Sequence, residues 1–161
     1  MWRSALLGVV TGMRSQLPVA LLAWRRSRGQ LPHDVAGPGG LFQRRAAVPL
    51  TALAAVTELV GDKLSTTPGR LEDRPFFGRV TLGAAAGSGV AAAFGHSTLV
   101  GAALGVAGAA AGSIAGYRLR VAAVQRTNVP DTAWGLLEDA LAIALGLIAT
   151  RADLVDAGRY R

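Results

Sequence analysis

Apolar residues in this chain fall in long blocks and seldom alternate with polar ones. Ser4 to Trp24, Ala46 to Val60, Val80 to Gly95, Leu99 to Ala115 and Trp134 to Thr150 carry few polar side chains, and turn formers or charges separate them. A soluble domain would give each element a wet face, and these blocks have almost none. The first block alone, at ~1.5 Å per residue, can cross a ~30 Å hydrocarbon core. The pattern predicts an all-α fold. It reads as a small polytopic membrane bundle of about five transmembrane helices near 4–24, 46–60, 80–95, 99–116 and 134–150, with a loop at 25–45. All of 1–161 forms a single transmembrane domain on this reading. The alternative is four helices plus a first segment that is broken or re-entrant. A secretory signal would carry its positive charge before a shorter apolar core, whereas here Arg14 sits mid-block and Arg25, Arg26 and Arg28 follow it, so the segment reads as retained.

The intervening stretches support that division. Gly29, Pro32, Gly37, Pro38, Gly39 and Gly40 mark a loop between arginines. The polar run from Gly61 to Pro75 is expected outside the membrane, with Phe76 and Phe77 anchoring its far end at the interface. His96, Ser97 and Thr98 make a tight turn between two helices of a transmembrane hairpin.

Composition narrows the function. Of 161 residues, 51% are hydrophobic and 17% charged, and the mean hydropathy is +0.36. The absence of cysteine removes disulfides, thiolate zinc sites and a cysteine nucleophile. The net charge of +7 raises nucleic acid as a partner, but arginines flanking apolar spans face lipid headgroups and the cytoplasm, so a bilayer is the expected partner. No Ser/His/Asp set, metal-ligand cluster or cofactor fingerprint is present, so neither an enzyme nor a cofactor is expected. His33 and His96 have no neighbouring ligand at metal spacing, and Gly37-Pro38-Gly39-Gly40 lacks the strand and lysine of a phosphate loop.

Glycine is the commonest packing signal among the 21 present. Gly101, Gly105, Gly108, Gly112 and Gly116 recur down one helix, and Gly83 and Gly87 repeat the four-residue step in the helix before it. Such stripes let another helix backbone approach closely, which predicts glycine-zipper packing within a protomer or across a homo-oligomer such as a dimer.

The ionisable residues inside the blocks are the functional candidates, because a charge at membrane depth costs about 3 kcal/mol or more unless it pairs, snorkels or serves a pathway. Gly12-Met13-Arg14-Ser15 with Pro18 weakens the first helix around Arg14, predicting two half-helices and an anion-friendly site; structural pairing of Arg14 with Glu58 is the alternative. Glu58 and Asp62 are four apart at the end of the second block, next to Lys63. Glu138 and Asp139 lie about one turn into the last helix, where its N-terminus favours carboxylates, and one of them is expected to face the interior. Arg118 and Arg120 are expected to end the glycine-rich helix and reach lipid phosphates. Gly116-Tyr117-Arg118 echoes Gly12-Met13-Arg14 as a faint trace of a repeat.

Five spans place eight Arg and Lys residues on each side, whereas a re-entrant first segment makes the balance nine to seven in favour of the side with the first loop.

The order Gly12-Met13-Arg14-Ser15 with Pro18, then Glu58 with Asp62-Lys63, a glycine- and alanine-rich middle hairpin, Arg118, and Glu138-Asp139-Ala140-Leu141-Ala142 resembles the uncharacterised bacterial integral membrane proteins called domain of unknown function 4126. The resemblance implies a small multi-helix membrane protein and brings no substrate or reaction. Two functions fit these residues. One is an oligomeric transporter or channel in the plasma (inner) membrane, moving a small ion or metabolite past Arg14, Glu58 and Glu138. The other is an accessory or scaffold subunit whose charges pair internally. A water-filled cavity at Arg14 would support the first, and a dry ion-pair cluster would speak against it.

Overall fold

The structure, a computed structural model, describes residues 1–33, 46–61 and 73–151. These residues form six helices and no strand: α1 Trp2–Met13, α2 Leu17–Ser27, α3 Ala47–Gly61, α4 Asp73–Ala93, α5 Thr98–Arg126 and α6 Asp131–Thr150. Two of them, α5 and α6, are long and apolar enough to cross a membrane, and α3 is a shorter apolar helix.

The first apolar block is two helices, not one. Pro18 lacks an amide hydrogen and its ring clashes with the carbonyl four residues back, which is that of Arg14. Arg14 accordingly leaves the helix with extended backbone (φ −139°, ψ 103°). Gln16 then caps α2, with Pro18 in its first turn, where a missing amide is harmless. The proline both ends one helix and starts the next.

The two short helices run antiparallel. At the start of α1, Arg3 stacks on Phe94 with 4.0 Å from guanidinium carbon to ring centroid and donates to the carbonyls of Ala149 and Arg151, at the ends of α4 and α6. Beyond the end of α2, the amide of His33 donates to the carbonyl of Ala93, at the same end of α4. Leu22 and Ala23 of α2 share a buried cluster with Leu7, Phe94 and Ala149. Both open ends of the α1–α2 hairpin therefore lie beside the ends of α4 and α6, and its tip at 14–16 points into the bundle. Gly29 (φ +62°) and Gly95 (φ +66°) close α2 and α4 in left-handed conformations that let the chain turn out of each helix.

The centre of the bundle is α5, gripped by α1 and α4. A Cβ on Gly83 would stand 2.7 Å from the carbonyl oxygen of Gly105, and one on Gly101 2.6 Å from that of Gly87. On its other side α5 meets α1, where Gly108 and Gly112 face Ala5 and Val9, and Gly8 and Gly12 face Gly105 and Ala109. Gly12 thus serves close approach, and the break falls two residues after it. Because α5 runs to Arg126, Arg118 and Arg120 lie within the helix and not at its end, and Arg126 takes the last turn.

Candidate functional site

A broken helix exposes amides at one cut end and carbonyls at the other, and a buried cut needs partners for both. Glu58 of α3 supplies the acceptor. Its Oε1 accepts from the Ser15 amide and hydroxyl, both at 2.8 Å, and its Oε2 accepts from the Gln16 amide at 2.9 Å. Arg79 of α4 supplies the donor, its Nη1 reaching the Gly12 and Met13 carbonyls at 2.9 and 3.2 Å. Arg79 Nη2 also lies 3.6 Å from Glu58 Oε1, so one ion pair links the two caps. The Ser113 hydroxyl donates to Gly12 from α5 at 3.4 Å.

Arg14 points away from this pair, toward α6. It is 0% exposed; its Nε donates to Asp139 Oδ1 at 2.5 Å and its Nη1 to the Met13 carbonyl at 3.0 Å. Glu138 Oε2 stands 3.8 Å from Arg14 Nη2 and 3.6 Å from Arg120 Nη1. Arg120 in turn holds Asp131 with both a 2.7 Å and a 2.8 Å hydrogen bond. The structure therefore pairs Arg14 with Asp139 and Glu138 and gives Glu58 to the hairpin tip. Glu138 and Asp139 are both engaged inside, where one was expected: their side chains are 10% and 11% exposed.

No family model, curated protein or solved structure matches the chain. The resemblance drawn from the sequence thus has only its residue pattern behind it.

The residues singled out from sequence divide clearly. Arg14, Ser15, Glu58, Glu138 and Asp139 gather at the hairpin tip. Pro18 stands in the first turn of α2. Gly116 lines a cavity between α5 and α6, Arg118 is exposed, and Arg120 is tied into the ion-pair chain and not turned out to solvent. Asp62 lies outside the described residues. Arg79, Asp131 and Ser113 were not anticipated. Arg79 stands one residue before an apolar block and reads as a border charge, until α4 is seen to begin at Asp73 and to carry it into the second turn.

Around Arg14 the cluster is closed. Beside it lies a cavity of about 300 Å³, bounded by Met13, Gly116, Leu119, Trp134, Leu137 and Leu141, with Arg120 and Glu138 also on its wall. The surfaces it exposes are almost wholly apolar. The more open polar group is the Glu58–Arg79 pair, with side chains 16% and 10% exposed. Chemically, the tip is a carboxylate holder: two amides, a hydroxyl and a guanidinium converge on one pair of oxygens, and two further carboxylates lie across the hairpin.

Proposed function

We propose that this chain is a multi-pass membrane protein of the plasma (inner) membrane in which α3, α4, α5 and α6 cross, α1–α2 is re-entrant, and a homo-oligomer moves a small ion or metabolite past the hairpin tip. The membrane placement is supported by the long apolar windows of α5 and α6, only 33% and 28% buried within the bundle. The core helix of a soluble protein would be mostly covered. Leu99, Leu119, Leu53 and Phe77 are 80%, 69%, 64% and 66% exposed, an apolar surface that lipid would solvate.

The observation that carries the transport reading is the capped break itself. Irregular backbone is tolerated at membrane depth only where protein or a water-lined cavity satisfies it, and broken helices with charged caps are how carriers build solute sites. Here the acceptor and donor come from two different helices, Glu58 of α3 and Arg79 of α4. Of these, α3 packs chiefly on α2, so withdrawing Glu58 requires moving one lightly held helix. Arg14 with Asp139 acts as a fixed clamp between the tip and α6.

The accessory-subunit reading has an observation of its own, the complete burial and internal pairing of Arg14. One experiment separates the two. Proteoliposomes of the purified full chain are adsorbed to a sensor and given concentration jumps of protons, chloride, phosphate, acetate and succinate. Transport predicts a saturable current for at least one of them that Glu58→Gln abolishes. No current from any of them, together with stoichiometric recovery of a different membrane protein in mild detergent, overturns transport in favour of the accessory role.

A further inference from the structure

The cavity between α5 and α6 is continuous with one stripe of α5. Gly116, Leu119 and Ala123 line it, and Arg126 follows three residues later on the same face, exposed. On α6 the wall is Trp134, Leu137 and Leu141. The Trp134 indole lies at the Arg126 end, where its nitrogen donates to the Thr127 hydroxyl at 3.2 Å. Tryptophan and arginine at one end of an apolar slot are the markers of a membrane–water interface.

The dimensions select an occupant. From Arg126 to Gly116 is ten residues, ~15 Å along the helix, which is half of a ~30 Å hydrocarbon core, or one leaflet. The volume of about 300 Å³ holds roughly ten groups of water size at ~30 Å³ each, the scale of a length of acyl chain. A soluble solute would leave this apolar wall unmatched, and the slot opens sideways between two helices. At the Trp134 end the exposed charges are Arg126 and Asp131, and Asp131 is already held by both of its oxygens on Arg120, which leaves Arg126 to meet an anion.

We propose that the α5–α6 slot is a binding site for one acyl chain of an anionic phospholipid, whose phosphate lies at Arg126. A chain seated there would fill the gap where α5 and α6 separate, and its inner end would reach Met13, next to the buried Arg14. The inference rests on the membrane placement proposed above but not on transport.

The test uses the full chain with Trp2→Phe and Trp24→Phe, leaving Trp134 as the only tryptophan, reconstituted in phosphatidylcholine vesicles. Carbonate washing comes first; release of the protein from the vesicles defeats the membrane placement itself. With the protein retained, chain-brominated phosphatidylglycerol is expected to quench Trp134 at least several-fold more strongly than equally brominated phosphatidylcholine at the same mole fraction. Arg126→Gln should remove that preference, and Ala123→Leu, which fills the slot, should lower quenching by both lipids. Equal quenching by the two lipids, or a preference that survives Arg126→Gln, overturns the proposal. So does quenching that falls as the protein-to-lipid ratio rises, which would put a second copy of the chain in the slot.

Discussion

Asp139→Asn tests whether the pair between Arg14 and α6 holds the hairpin tip in place. Arg14 is fully buried and Asp139 is 8% exposed, with 2.5 Å between them. Removing one partner of a buried ion pair costs about 3–5 kcal/mol, because the other charge is left without its counterion. Glu138, 3.8 Å from the same guanidinium, offsets part of the loss, which puts the expected cost at the lower end, ~3 kcal/mol. For a chain of this size 1 kcal/mol moves the midpoint by about 2–4 °C, so a fall of roughly 6–12 °C is expected. The assay is thermal unfolding of detergent-purified protein followed by tryptophan fluorescence.

Replacing both partners sharpens the test. In Arg14→Met with Asp139→Leu, the Met13 carbonyl keeps its bond from Arg79 at 3.2 Å and Glu138 keeps Arg120 at 3.6 Å, so neither is stranded. A buried pair exchanged for apolar side chains of similar volume is often neutral or stabilising, so the double variant should recover most of the loss. A fall below ~2 °C for Asp139→Asn, less than about 1 kcal/mol, would refute the clamp. A double variant that melts lower than Asp139→Asn alone would refute the pairing as drawn.

At the other cap, Glu58→Ala removes the acceptor of three hydrogen bonds, and deuterium uptake at Ser15 and Gln16 should rise well above wild type, with Glu58→Gln intermediate; unchanged uptake in both would detach Glu58 from the tip. Gly105→Ala places a methyl against the Gly83 carbonyl and 3.1 Å from the Gly87 Cα, and should cost at least ~1–3 kcal/mol as an overpacked contact, read as a lower melting point. Gly78→Ala, with nothing within 4 Å, should instead gain ~0.5–1 kcal/mol from helix propensity. The chain has no cysteine, so single cysteines report topology directly: Trp2→Cys, at the exposed start of α1, and His96→Cys should be labelled from one side of sealed vesicles and Thr127→Cys from the other, whereas a first segment that crosses would put Trp2 with Thr127.

The break was legible because Pro18 and Arg14 stand four residues apart, the spacing at which a proline ring and a carbonyl collide. The hairpin was legible only as one of two alternatives. Ser4 to Trp24 has the length of one span, and apolar content alone does not separate one ~30 Å helix from two ~15 Å helices folded together. The glycine spacing located the stripes of α5 but left open which helices they meet. The interior carboxylates were also legible as a group, because so few charges interrupt the apolar blocks. Their pairing was not, since it depends on where each helix starts. With α6 beginning at Asp131 and α4 at Asp73, Asp139 reaches Arg14 and Arg79 reaches the tip, and both starts lie several residues before the apolar blocks begin.

The charge balance changes once these roles are assigned. With both ends of the α1–α2 hairpin at one end of the bundle, Arg3 joins Arg25, Arg26, Arg28 and Arg151 there among the described residues, with Arg74, Arg79, Arg118, Arg120 and Arg126 toward the other. Arg3, however, is buried on Phe94 and on the end of α6; on the opposing side Arg79 is buried at the hairpin tip and Arg120 is held by Asp131 and Glu138. None of the three is a loop charge of the kind that orients a membrane protein. Setting them aside leaves Arg25, Arg26, Arg28 and Arg151 at that end, against Arg74, Arg118 and Arg126 at the other. In the membrane placement proposed above, the positive-inside rule then favours a cytoplasmic location for the Arg3 end of the bundle. The hairpin would enter from that side. Its tip, packed where Gly12 meets Ser113, lies fifteen residues along α5 from Thr98, ~22 Å deep and past the midplane of a ~30 Å core. A solute coming from the opposite face would meet the Glu58–Arg79 pair first, which is why the flux test turns on Glu58 and the stability test on Asp139.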